Sequence, residues 1–99
     1  MSDFNEMQSR ALKLLPGHMV EGIIRYIQRG IPMGDFGTAL LSNDLMKAFD
    51  RADDMNTAAM KNWVVFLYNY APGDCYGSPD AVRDWIAQGG LNQTTENQS

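Results

Sequence analysis

Proline and glycine divide this chain into short segments, and that division limits the fold more than any other sequence feature. Pro16, Gly30, the pair Pro72-Gly73 and the pair Gly89-Gly90 each stand where a regular element is expected to end, because proline lacks an amide proton and glycine favours the left-handed cap. Between these positions the apolar residues recur with helical spacing, and no alternating strand pattern competes with it. We therefore predict a protein built of short helices.

Two segments carry the strongest helical signals. Val20, Ile23 and Ile27 form an apolar stripe that predicts a helix over 17–29. A wider apolar face, with Trp63 at its centre and Val65 and Tyr68 on its far side, predicts a core helix over about 57–70. Four further helical segments are predicted at 3–15, 36–42, 43–53 and from Ser78 to Gly89. The buried face of the segment 43–53 should consist of Leu45, Ala48, Phe49 and Ala52.

Length and composition point to one domain. The chain has 99 residues, of which 44% are hydrophobic and 10% aromatic, a composition typical of folded rather than disordered proteins. The fold class predicted is all-α, a compact bundle of four to five short helices over residues 1–90. Residues 91–99 are almost entirely polar after the first, and we expect them to be a disordered tail.

Charge and cysteine content exclude several functions. The net charge is −4, which argues against nucleic acid as a partner because phosphate contacts need clustered basic residues. A single cysteine, Cys75, and a single histidine, His18, leave no metal-ligand spacing and no nucleophile signature. We expect a non-enzymatic cytosolic protein without metal, cofactor or membrane span.

An ordered set of short motifs resembles a group of small, functionally unassigned proteins encoded by tailed bacteriophages and prophages. The motifs cover most of the domain, and in chain order they are Leu15-Pro16-x-His18-Met19, Gly30-Ile31-Pro32-x-Gly34-x-Phe36, Leu41-Ser42-Asn43-Asp44-Leu45, Arg51-Ala52-Asp53-Asp54-x-Asn56, Phe66-Leu67-Tyr68-Asn69-x-Ala71-Pro72 and Tyr76-Gly77-Ser78-Pro79. The resemblance implies a phage accessory protein that acts in the host cytoplasm. It implies no catalytic residues.

The candidate binding residues fall into two groups. Polar residues between 43 and 56 either cap helices or form an acidic, hydrogen-bonding surface toward a partner. Aromatic and amide residues near the end of the core helix and in the loop after it are expected near the surface, where tyrosines mark interfaces. The seven candidates are Asn43, Asp44, Asp53, Asn56, Tyr68, Asn69 and Tyr76.

These observations favour an interaction protein over an enzyme. The function we expect is binding to a host or anti-phage defence protein, which is thereby inhibited or redirected. The alternative is an oligomer that sequesters a small ligand such as a signalling nucleotide, with Asn43, Asn56, Arg25 and Arg29 among its contacts. Self-association is also expected, through the far side of the 57–70 helix.

Overall fold

The computed structural model describes residues 2–91, with side chains from residue 5 onward. The all-α class is confirmed, but the expected number of four to five helices was wrong. The described residues form seven α-helices and one 3₁₀ turn: α1 Ser2–Leu14, α2 Gly17–Arg29, α3 Asp35–Leu41, α4 Leu45–Arg51, α5 Asp54–Ala58, α6 Met60–Tyr70, the 3₁₀ turn Gly73–Cys75 and α7 Pro79–Gln88.

One of the additional helices, α5, arises because the start of the predicted core helix forms a separate element. The side chain of Asp53 accepts a hydrogen bond from the Asn56 amide at 2.8 Å and so caps α5, as short acidic residues do at helix N-termini. At Ala59 the backbone leaves helical geometry, with φ −97° and ψ 10°, and α6 begins at the next residue. The core helix is therefore only the part from Met60 onward.

Trp63 lies at the centre of the core. Its side chain is fully buried, and its ring meets that of Phe36 edge to face with the centroids 5.7 Å apart. The indole N–H donates to the side-chain oxygen of Asn56 at 3.0 Å. No side-chain nitrogen or oxygen that is buried within the described part of the chain lacks a hydrogen-bond partner.

The ends of α2 and α7 lie against each other through two glycines. Gly30 and Gly90 have φ of 72° and 68°, the left-handed region that glycine tolerates best. A Cβ placed on Gly90 would lie 2.6 Å from the Gly30 nitrogen, so the two backbones approach as closely as glycine permits. The Leu91 amide also donates to the Ile27 carbonyl at 3.0 Å. The rest of the predicted tail, 92–99, lies outside the described residues.

No helix between residues 2 and 91 has both the length and the hydropathy that crossing a membrane requires.

Candidate protein-interaction surface

An apolar groove runs between the corner that joins α3 to α4 and the exposed side of α6. Its cavity volume is about 170 Å³. We call it, together with the side chains around it, the α4–α6 surface. The residues that line it are Leu40, Asn43, Asp44, Leu45, Val64, Leu67, Tyr68 and Tyr76.

The corner between α3 and α4 is a tight turn made by Asn43. This residue has φ 65°, a left-handed conformation that asparagine adopts more readily than most residues. The next amide, of Asp44, donates back to the Ala39 carbonyl at 2.9 Å. The Asp44 carboxylate then accepts a hydrogen bond from the Lys47 amide at 3.2 Å and starts α4. The turn thereby places Leu45 at the edge of the groove.

Tyr76 reaches the groove because the segment before α7 is tied to the core. The Gly77 amide donates to the Leu41 carbonyl at 2.8 Å, and the Tyr26 hydroxyl donates to the Cys75 carbonyl at 2.8 Å. These two bonds fix the backbone on both sides of Tyr76. Its half-buried side chain therefore forms a stable wall of the groove.

The prediction that Leu45 and Phe49 belong to the buried face of α4 was wrong. Leu45 is 62% exposed and Phe49 is 46% exposed, whereas Ala48 is fully buried. The helix is only two turns long and packs mainly on α3. It packs there through its small residue Ala48, which leaves its larger side chains uncovered.

On α6 the exposed large apolar or aromatic side chains are Val64 and Tyr68, at 58% and 78% exposure. They are four residues apart and so lie on one side of the helix. The sequence had indicated Val65 instead, which is half-buried. Leu45, Val64 and Tyr68 thus leave an apolar area uncovered on two neighbouring helices, the kind of area that marks interaction sites on small proteins.

The groove carries little charge. Of the described residues that line it, only Asp44 is charged at neutral pH, and its carboxylate is already used as a helix cap. The surface is therefore suited to apolar and aromatic side chains of a partner rather than to phosphates or metal ions.

Four of the seven predicted binding residues meet in this groove: Asn43, Asp44, Tyr68 and Tyr76. The other three lie elsewhere. Asn56 is buried and bonded to Trp63. The exposed Asn69 side chain donates to the Val65 carbonyl of its own helix at 3.0 Å.

Asp53 takes part in a separate surface contact. The hydrogen bond from the Asn56 backbone amide, with a smaller contribution from His18, holds the pKa of its carboxyl below the usual range. The His18 Nε2 atom lies 2.9 Å from this carboxylate, and both side chains are well exposed. This pair links the start of α2 to the start of α5, and it is not part of the groove.

The exposed positions of Leu45 and Val64 were missed because local sequence patterns do not reveal them. Leu45 fits a helical stripe with Ala48 and Ala52, and that stripe looked like a core face. The exposure of Val64 depends on which side of α6 the other helices cover. A scan for large apolar residues at the ends of two-turn helices, which cannot bury a full stripe, would have pointed to Leu45.

Cys75 offers no reactive thiol. It is fully buried, and this burial, with a smaller effect of Asp74, raises its pKa to about 12. The thiol therefore stays protonated at neutral pH and is a poor nucleophile. Among the residues with described side chains, no three of the types His, Cys, Asp and Glu come together as a metal site would require.

Fold and surface together describe a small all-α domain with an uncovered apolar groove. No family model, no curated protein and no solved structure matches this chain.

Proposed function

We propose that this chain is a phage-encoded interaction protein that binds a host or anti-phage defence protein and inhibits or redirects it. The observation that carries the proposal is the joint exposure of Leu45, Val64 and Tyr68 around one groove. The phage origin and the host partner rest on the resemblance of the sequence motifs. The host cytoplasm is the compartment in which such a protein acts.

The chemistry of the groove favours a protein partner. Interface cores are depleted of charge and enriched in aromatic residues and methionine. Tyr68 in the groove and the exposed Met46, which follows Leu45 on α4, fit that composition. Met46 is 82% exposed. A tyrosine of this kind supplies a large contact area with few rotatable bonds, which is why tyrosines are frequent among the residues that dominate binding energy.

The small-ligand alternative loses support from the same geometry. It relied on Asn43, Asn56, Arg25 and Arg29 as shared contacts. Asn56 lies in the core, where its amide oxygen accepts the Trp63 indole N–H. Asn43 lines the open groove, whereas the two arginines line a different groove between α1 and α2, so these four residues do not surround one ligand.

The test compares wild type with the double variant Leu45→Glu, Tyr68→Lys as bait in lysate of a bacterial host. A protein captured by wild type is identified by mass spectrometry, purified and titrated by calorimetry. We expect the variant to lose about 100-fold or more in affinity, since two large exposed contacts of the groove are replaced by charges. Both substituted positions are exposed, so the melting temperature should stay within a few degrees.

The matched control carries the same two charges at exposed positions away from the groove, Ile31→Glu with Asn5→Lys. It should bind as wild type does. A captured protein that binds wild type and the groove variant equally well would contradict the proposal. Sedimentation of purified wild type and of the groove variant, each without lysate, shows whether a second copy of the chain occupies the surface instead, as the sequence predicts.

A further inference from the structure

A second groove, between α1 and α2, is long; its two basic lining residues, Arg25 and Arg29, stand at one end, and Glu21 is the acidic residue along it. We call it the α1–α2 groove. Its cavity volume is about 560 Å³, and the residues of α2 that line it run from Gly17 to Arg29. It therefore follows nearly the whole length of that helix, roughly 18 Å at 1.5 Å per residue.

The end of the groove near the turn between the two helices is apolar. Leu12 of α1 is 66% exposed and faces the groove together with Val20. Gly17 lies at this end, and a Cβ built on it would meet no atom within 4 Å. The space above Gly17 is therefore open to a side chain from outside.

The other end of the groove is basic. Arg25 and Arg29 are one helical turn apart and both line it. Arg25 pairs with Glu21 at 3.2 Å, but the two side chains are 48% and 86% exposed, so this contact adds little stability and exchanges readily. The ion pairs found among residues 5–91 leave Arg29 without a carboxylate partner.

We infer that the α1–α2 groove is a docking site for an acidic amphipathic helix of a partner protein. An elongated slot between two helices fits a helix, whose apolar stripe repeats at i, i+3, i+4 and i+7. The partner's apolar residues pack on Leu12 and Val20, and its carboxylates meet Arg25 and Arg29, which lie roughly one and a half and two and a half turns beyond Val20. The inference concerns a different face from the α4–α6 surface and is independent of the function proposed for it.

The order of apolar and basic residues along the groove sets the order of apolar and acidic residues along the helix that binds it. Arg25 and Arg29 lie about 12 and 18 Å from Gly17 along the α2 axis, at 1.5 Å per residue. A helix that binds here carries its large apolar residues at one end and its Asp or Glu residues at the other. Guanidinium groups bind carboxylates with two parallel hydrogen bonds, which adds geometric selectivity over a simple charge match.

The experiment selects binders from a displayed library of helical peptides about four turns long, with the full-length protein as target. Two variants remove the site in different ways. Gly17→Trp places a large ring at the apolar end, where a Cβ meets no atom within 4 Å, and Arg25→Glu with Arg29→Glu inverts the basic end. We expect enriched peptides to be acidic and amphipathic, and to lose at least about tenfold in affinity on each variant, with binding that weakens as salt is added.

Two controls match these changes at other sites. Gly73→Trp places the same side chain at another glycine with open space around it. Lys61→Glu with Arg83→Glu makes the same change in net charge at exposed positions of α6 and α7. Neither control should weaken binding of the enriched peptides.

Three outcomes would overturn the inference. The first is that no enriched peptide binds wild type more tightly than it binds Gly17→Trp. The second is enrichment of basic rather than acidic peptides. The third is saturable binding of AMP, titrated as a separate probe, that depends on Arg25 and Arg29, because it would assign the groove to a small anionic ligand.

Discussion

At the scale of single residues, Trp63 combines an apolar and a polar requirement. Its ring fills the centre of the core beside Phe36, and its N–H needs the side-chain oxygen of Asn56. The residue was predicted to be buried, and this is confirmed. Its polar partner was not foreseen, because Asn56 lies before a break in the helix that the apolar pattern does not reveal.

We expect Trp63→Ala to lower the free energy of unfolding by about 3–5 kcal/mol, since it empties a large buried site and leaves the Asn56 oxygen without its donor. Urea denaturation followed by circular dichroism measures this loss. Tyr68→Ala is the control, because it removes an exposed aromatic ring from the same helix and should change stability by no more than about 0.5 kcal/mol. Equal losses in the two variants would refute this assignment.

At the scale of elements, the helix ends that are marked by their own neighbouring residues were predicted correctly. Helix α2 has the predicted bounds, Gly30 is its left-handed cap, and the Ser78 side chain accepts from the Ala81 amide at 3.0 Å to start α7. Such caps depend on neighbouring residues alone. The break at Ala59 and the uncovered side of α4 depend on which helices pack together, which a local pattern does not contain.

The contact between the ends of α2 and α7 gives a prediction for Gly90→Ala. An alanine there has an unfavourable left-handed φ and a Cβ that collides with the backbone of residues 28–30, so we expect a loss of at least about 2 kcal/mol in the free energy of unfolding. Thermal denaturation compares it with Gly73→Ala, whose Cβ meets no atom within 4 Å. A melting temperature equal to that of the Gly73 variant would show that α7 does not dock on α2 in this way.

At the scale of the whole molecule, two buried weakly acidic groups, the Cys75 thiol and the Tyr26 hydroxyl, make the free energy of unfolding depend on pH in the alkaline range. The pKa of Cys75 is raised by burial from 9.0 to about 12, and burial also raises the pKa of Tyr26 above its usual value. Both groups stay protonated in the folded chain at pH values where they ionise in the unfolded chain. Their contribution to stability is therefore complete below about pH 9 and is lost as the pH rises from about 9 toward 12.

We accordingly expect the free energy of unfolding to fall above about pH 9. The slope due to one thiol approaches about 1.4 kcal/mol per pH unit. Urea titrations at a series of pH values measure the slope for wild type and for Cys75→Ala. The variant should show a shallower slope between about pH 9 and 10, before tyrosine ionises, whatever its absolute stability. Parallel curves would contradict the burial of this thiol.

The placement of the two indoles has a consequence for spectroscopy. Trp63 lies in α6, whereas Trp85 lies in α7 and donates to the Tyr26 carbonyl at 3.0 Å. Each ring is buried, so its fluorescence should shift to longer wavelength when its own helix leaves the core. Single-tryptophan proteins made with phenylalanine at the other position therefore give two local signals. Coincident denaturation curves would mean that both helices unfold in one cooperative step, and separated curves would show which of the two helices leaves the core first.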